Sequence, residues 1–346
     1  MRCRRLAYVW ALVMLLTLSP AYAAAKPGTS WAQAELETVV AAGIMAKAAA
    51  ARPDSPLTQG ELESIVAGLT QTEAATPPSP AAKVTMAALD ARLVAALGLT
   101  DSAKFFTQSA RSAGLAPPSR FGTEAVARLL GLRINHPAAL DAIELSPGQP
   151  ATHAEAAYSA ARMLQLGEAD TQGVQELAAS FVLPALTSWQ KKVLKTAVRF
   201  IGYPYVWGGE SEFPQSPLWP FGPQVHGGFD CSGFVWRVYK VEQYPDGGTL
   251  PDTLQGRTTY AMSGEVPAAN RISFANLQPA DVIFFGAKGP KSKATQIDHA
   301  GVYLGSGWFI HSSRYGVAVT TLSGWYEKRF AWGRRPLAEA GLVSPA

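Results

Sequence analysis

The sequence predicts an all-α segment followed by an α+β segment, and three observations carry that division. Composition changes near residue 187, from Ala-rich and helix-prone to rich in Gly, aromatic and β-branched residues. Before that point, helix-start signals recur, each followed by apolar positions three and four apart. After it, short runs such as "DVIFF" and "AGVYLG" read as strands. A chain of 346 residues also exceeds one ordinary core. The expected organisation is a leader at 1–23, a helical domain at 24–187, an α+β domain at 188–337 and a tail at 338–346.

The leader reads as an export signal. Arg2, Arg4 and Arg5 precede the apolar run "LAYVWALVMLLTL", and "AYA" supplies a small-x-small cleavage pattern. The run is shorter than the roughly 18 residues that span a bilayer, and no later stretch reaches that length. No transmembrane segment is therefore expected, and the expected location is exported: cell wall, periplasm or extracellular. Cys3 lies ahead of the apolar run, which leaves Cys231 without a partner after cleavage. An unpaired cysteine in an oxidising compartment is either buried and inert or a reactive thiol.

Charge excludes little. Residues 24–187 hold 11 Lys/Arg against 15 Asp/Glu, and residues 188–346 hold 16 against 11. The basic side chains are scattered rather than clustered, so nucleic acid is not an expected partner.

The helical half contains a repeat. "LTQGELESIVAGL" (57–69), "VTMAALDARLVAAL" (84–97) and "ATHAEAAYSAARML" (151–164) each open with a threonine placed to cap a helix. These units resemble S-layer homology repeats, which implies wall-polymer binding as one role for this half. Gln59, Met86 and His153 stand where that family has an arginine, which puts the polymer pocket in doubt. Any anion binding would then fall to side chains such as Arg92, Arg128 and Arg133. The other reading is a helical bundle that spaces or covers the second half.

In the second half, "TAVRFIGYPYVWGG" (196–209) reads as a helix, a turn and an aromatic segment. "FDCSGFVWRVYK" (229–240) places Cys231 at the first turn of a second helix, where unpaired N–H groups favour thiolate. Asp230 is a candidate capping acid for that helix. "HAGVYLGSGWFIH" (299–311) reads as a hairpin turning at Gly305-Ser306-Gly307. A three-residue loop sets Gly301 opposite His311 and His299 opposite Ser313, with both histidines on one face as diagonal neighbours. A two-residue loop would put them on opposite faces. Between Gly209 and Asp230 lies "ESEFPQSPLWPFGPQVHGGF", in which Phe213, Trp219 and Phe221 make either a cleft rim or a surface loop.

Together "YPYVWGG", "FDCSG", "LQPADVIFF", "HAGVYLG" and "IHSS" resemble the NlpC-type family of papain-like bacterial cell-wall cysteine peptidases, over roughly residues 189–336. The resemblance implies a papain-like α+β fold with the nucleophile helix packed on an antiparallel sheet. It implies Cys231 as nucleophile, His299 as general base and His311 as the group orienting its ring. Tyr205 would lie beside the thiolate, and Asp230 and Ser232 would help hold the free amino end of a peptidoglycan stem peptide. The implied reaction is thioester-mediated cleavage of the γ-D-glutamyl–diamino acid amide, with no cofactor or metal. An amidase or transpeptidase of the same fold, or an inactive wall-binding protein, are the alternatives.

Overall fold

The computed structural model of the chain describes residues 30–135, 144–215, 223–224 and 226–343. The leader, Cys3, His136, Trp219 and Phe221 lie outside the described residues. Among the described residues, no helix is long and apolar enough to cross a membrane.

Among the described residues, eight α-helices form the first half: α1 Gln33–Ala41, α2 Lys47–Ala50, α3 Gln59–Thr70, α4 Met86–Ala96, α5 Thr100–Ser112, α6 Phe121–Leu129, α7 His153–Met163 and α8 Glu168–Ser180. The three threonines do cap helices. Thr58, Thr85 and Thr152 each accept a hydrogen bond from the backbone three residues on, at the starts of α3, α4 and α7. The extended residues ahead of these caps close a ring. Leu57 N–H donates to Ala151 O at 2.7 Å, Ala151 N–H to Val84 O at 2.8 Å, and Val84 N–H to Leu57 O at 2.9 Å. The repeat in the sequence is thus a three-fold arrangement in space, with Leu57, Val84 and Ala151 wholly buried or nearly so at its hub.

The second half begins with α9 Ser188–Arg199 and a two-stranded ribbon, β1 Glu210–Ser211 with β2 Gly228–Phe229. Helix α10, Cys231–Trp236, follows directly, and α11 spans Thr259–Gly264. Five strands make an antiparallel sheet in the order β6-β5-β4-β3-β7: β3 Val282–Gly286, β4 Ile297–Gly305, β5 Trp308–Ser313, β6 Gly316–Thr321 and β7 Phe330–Arg334. Helix α10 lies across β4 and β5. Two short helices close the chain, α12 Trp325–Arg329 and α13 Pro336–Glu339. The expected boundary at 337 falls inside α13, whose Leu337 is buried.

One continuous apolar core runs through both halves. At its centre Trp308 of β5 stands edge-on to Phe106 of α5 and to Phe181, with centroids 5.7 and 5.1 Å away. Buried ions reinforce the same seam at Arg128, and further pairs brace the helical half behind it. Arg128 of α6 pairs with Glu124 at 3.0 Å and Glu144 at 2.7 Å, and donates to the carbonyls of Gly202 and Tyr315. Arg133 pairs with Glu144 and Glu155, at 3.1 and 3.2 Å, and lies 3.7 Å from Asp90. Arg92 forms a two-pronged bond to Glu63. The three arginines that remained for anion binding are therefore all engaged internally.

Candidate active site

The Asp230 side chain starts α10. Its Oδ1 accepts from the Gly233 N–H, as a capping acid must, and also from Ser232 Oγ at 3.0 Å. Its Oδ2 accepts from Gly208 N–H at 2.9 Å, which ties the helix start to the aromatic segment before it. Arg257, ahead of α11, completes this cluster. Its guanidinium reaches Asp230 Oδ1 at 3.1 Å, Ser232 Oγ at 2.8 Å, Glu210 Oε2 at 2.8 Å and the carbonyls of Gly208 and Gly209. Asp230 and Ser232 are thus joined in one bonded network, and the capping role foreseen for Asp230 is realised. Arg257 was not singled out from sequence, because nothing local to "QGRTTY" marks it as the partner of an acid 27 residues earlier.

Cys231 is free and buried, 8% exposed. The helix-start position lowers a thiol pKa, yet the structure reverses the net expectation. Burial pushes the thiol up to about 12, and the neighbouring Asp230 carboxylate adds to this. Backbone hydrogen bonds from Ala300 and Ser232 and the charge of Arg257 act in the opposite direction without prevailing. Helix α10 runs on without a break into a π-helical turn, Arg237–Val241, so the helix start at Cys231 is a real but smaller contribution than desolvation.

The two histidines meet. β4 and β5 pair Val302 with Ile310 and Tyr303 with Phe309, the register expected for the histidines, but the loop differs: Gly305 pairs with Trp308, leaving a two-residue turn, and a bulge at Leu304 supplies the odd residue. His299 Nε2 lies 2.7 Å from His311 Nδ1, with the rings nearly perpendicular at 85°. Gly301 makes room for this. A Cβ there would stand 3.0 Å from the His311 Cβ and 2.9 Å from the Phe309 ring. Phe285, Phe309 and Tyr326 wall the pair, with ring centroids 4.7 to 6.2 Å from one or other imidazole. This enclosure pushes His299 down to about 4, with Asp298 opposing and Arg329 adding, and holds His311 well below its ordinary value through burial and then His299. Both rings are neutral at pH 7.

One further contact joins the two parts of the site. Ser312, fully buried beside His311, donates its Oγ to the Phe229 carbonyl at 2.6 Å. The strand bearing His311 is thereby fixed to the residue two before Cys231.

His299 and Tyr205 open onto a cleft of 870 Å³, lined also by Asn135, Asp298, Ser313, Arg314, Tyr315, Trp325, Tyr326 and Arg329. Asn135 comes from the helical half. Burial raises the Tyr205 hydroxyl well above its ordinary value, with Cys231 and Asp230 adding, so it stays protonated. The described lining includes no residue of the 210–229 insertion. Gln224 clamps that insertion from within, bonding the carbonyls of Ser211, His226 and Gly228. Among the described residues, no group of three His, Cys, Asp or Glu is placed to hold a metal ion.

Part of the chain is similar to known proteins. Residues 202–335 match the NlpC/P60 family. The chain is 27% identical over 150 residues to the gamma-D-glutamyl-L-lysine dipeptidyl-peptidase of Bacillus subtilis, covering 42% of this chain and 41% of that protein. It is 34% identical over 147 residues to the murein DD-endopeptidase MepH of Escherichia coli, covering 42% and 45%. The chain thus spans less than half the length of these curated relatives. Among solved structures, an NlpC/P60 family protein from Bacillus cereus aligns with a TM-score of 0.31 at 27% identity, over 45% of this chain and 41% of that one. The peptidoglycan hydrolase RipB from Mycobacterium tuberculosis aligns with a TM-score of 0.31 at 18% identity, over 71% and 89%. The C-terminal half of this chain carries an NlpC/P60 family domain.

Proposed function

We propose that this chain is a cysteine peptidase that hydrolyses peptidoglycan stem peptides at the γ-D-glutamyl–diamino acid amide. The observation that carries the reading is the 2.7 Å contact between His299 Nε2 and His311 Nδ1. With Nε2 so engaged, His299 keeps Nδ1 for the thiol, on a strand packed against the helix that begins at Cys231.

In this reading His299 takes the Cys231 proton as sulfur attacks the carbonyl carbon. The backbone N–H of Cys231, at the helix start, offers itself to the developing oxyanion. His299 then gives the proton to the departing amine, leaving a thioester. Water, deprotonated by the same ring, releases the acid and restores the thiol. Tyr205, a protonated hydroxyl on the cleft wall, positions the scissile carbonyl. Asp230 and Ser232 receive the substrate's free amino end from within the Arg257 network, where Oδ2 of Asp230 keeps capacity beyond its bond to Gly208.

The helical half, 24–187 in the expected division, then serves chiefly to wall the cleft. Asn135 on the lining and the Arg128 bonds to Gly202 and Tyr315 support this role, and the internal pairing of Arg92, Arg128 and Arg133 weighs against polymer binding through them. A wall substrate accords with export, for which the leader is the motif.

The test is digestion of purified sacculi with the protein and with Cys231→Ala, followed by mass spectrometry of the released fragments. New γ-D-glutamyl termini support the reading. Cleavage between two D-centres would instead align the chain with the murein DD-endopeptidase relative, and no release at all would leave a wall-binding role.

A further inference from the structure

We propose that the seam between the helical half and the sheet is a carboxylate-binding extension of the cleft, in which Arg314 and Asn135 hold the C-terminal residue of the leaving fragment. The inference rests on the function proposed above and adds to it a specificity element.

Arg314 sits on the turn between β5 and β6, three residues beyond His311. It lines the 870 Å³ cleft that contains His299, and also an adjoining pocket of 440 Å³ that contains His311 and Arg162. Ser313, Tyr315 and Tyr326 are shared by both, so the two form one channel along the seam. The cations in this channel differ in one respect. Arg329 is paired with Asp298 at 2.5 Å, and Arg128 is saturated by Glu124 and Glu144. Arg314 makes one side-chain hydrogen bond, to Tyr315 Oη at 2.7 Å, and stacks over that ring at 4.8 Å. Arg162 donates to the Leu130 carbonyl and to Gln165. Neither Arg314 nor Arg162 forms an ion pair among the described residues, which leaves a positive channel beside the proposed base.

The helical half fixes this turn. Asn135 donates its backbone N–H to the Arg314 carbonyl at 2.6 Å, and its buried Oδ1 has no hydrogen-bond partner among the described residues. A buried acceptor left open is costly unless a ligand supplies the donor. An open guanidinium fork and an open acceptor on one wall match the carboxylate and N–H of a peptide's C-terminal residue. Direction follows from the chemistry. His299 must protonate the departing amine, so the leaving fragment lies on the His299 side of the sulfur, where Arg314 and Asn135 line the cleft. In a stem peptide cut after γ-D-glutamate, that fragment begins with the diamino acid and ends in a carboxylate.

The experiment uses two γ-D-glutamyl stem peptides identical except for a C-terminal carboxylate or carboxamide. For the full chain, kcat/KM should favour the carboxylate by about tenfold to a hundredfold, the range of a charge-assisted hydrogen bond. Arg314→Gln should bring the ratio close to one, chiefly through KM, and Arg314→Lys should retain part of it because charge survives without the fork. Equal turnover of the two peptides by the unaltered protein, or an unchanged ratio in Arg314→Gln, overturns the proposal. Calorimetric binding of the free leaving fragment to Cys231→Ala protein separates this inference from the proposed reaction. Binding that Arg314→Gln weakens supports the subsite even if neither peptide is cut, and absence of binding sinks it.

Discussion

Arg128 of α6 donates to the Gly202 carbonyl at 2.7 Å, so a helix of the first half holds the turn that leads to Tyr205. The same guanidinium is wholly buried with Glu124 and Glu144. Replacing it by Met leaves the buried Glu124 carboxylate without its partner and Glu144 with Arg133 alone, a loss of about 3–5 kcal/mol by comparison with other broken buried pairs. Arg128→Met should therefore unfold at a clearly lower urea midpoint. Because the apolar core is continuous, calorimetry of the unaltered chain should show one cooperative transition. Two separated transitions would mean that the halves are energetically independent.

The Cys231, His299 and His311 roles make a graded prediction. Cys231→Ala should release no fragments while keeping its melting profile, since loss of a nucleophile costs about three or more powers of ten in rate. His299→Ala should be nearly as inactive. His311→Asn, which still offers a hydrogen bond to His299, should keep on the order of a tenth to a hundredth of the activity. Equal and complete loss in both histidine variants would show that the roles are wrongly divided.

The low His299 value has a pH consequence. A base held down to about 4 is neutral and available through most of the acid range. The acid limb of kcat/KM should accordingly fall near pH 4, below the ordinary imidazole value of about 6.5. Tyr326→Ala opens the aromatic wall to water and should move that limb upward. A limb already at the ordinary value in the unaltered protein would argue against an enclosed base.

Asp90 sets the pH dependence of stability. It is fully buried, neither carboxyl oxygen has a hydrogen-bond partner among the described residues, and desolvation pushes it up to about 8 against the pull of Arg133. The folded state then holds a proton that the unfolded chain releases near pH 4. Stability from this group is full below about pH 4 and is lost as pH rises towards 8. Asp90→Asn should flatten that decline, most visibly as a higher urea midpoint at pH 8. An unchanged slope between pH 5 and 8 would mean that Asp90 stays ionised.

Arg257 offers a test of the network beside the thiol. It lowers the Cys231 pKa and opposes the Asp230 carboxylate. Arg257→Gln should raise the thiol pKa further, slow alkylation by iodoacetamide and reduce kcat more than KM. Faster alkylation would instead indicate that the arginine shields the sulfur.

The sequence by itself determined the local features of this protein. Thr58, Thr85 and Thr152 announced helix starts because a hydroxyl three residues before a free N–H is a short-range relation. The spacing of His299 and His311 about "GSG" pointed to both rings sharing a face, because strand side chains alternate; the structure reaches that register with a two-residue turn and a bulge at Leu304 rather than with an odd loop. Asp230 as a cap belongs to the same class. Only the tertiary structure decided what depends on distant segments. Arg257 meets Asp230 across 27 positions, and Ser312 meets Phe229 across 83. Burial between helix and sheet pushes the Cys231 thiol up, against the helix-start position that the sequence displays. The joining of the halves came from Trp308, Phe181 and Arg128, whose apolar or charged character says that they need partners but not which ones. A local pattern fixes geometry within a few residues; desolvation and long-range pairing follow from how the whole chain closes.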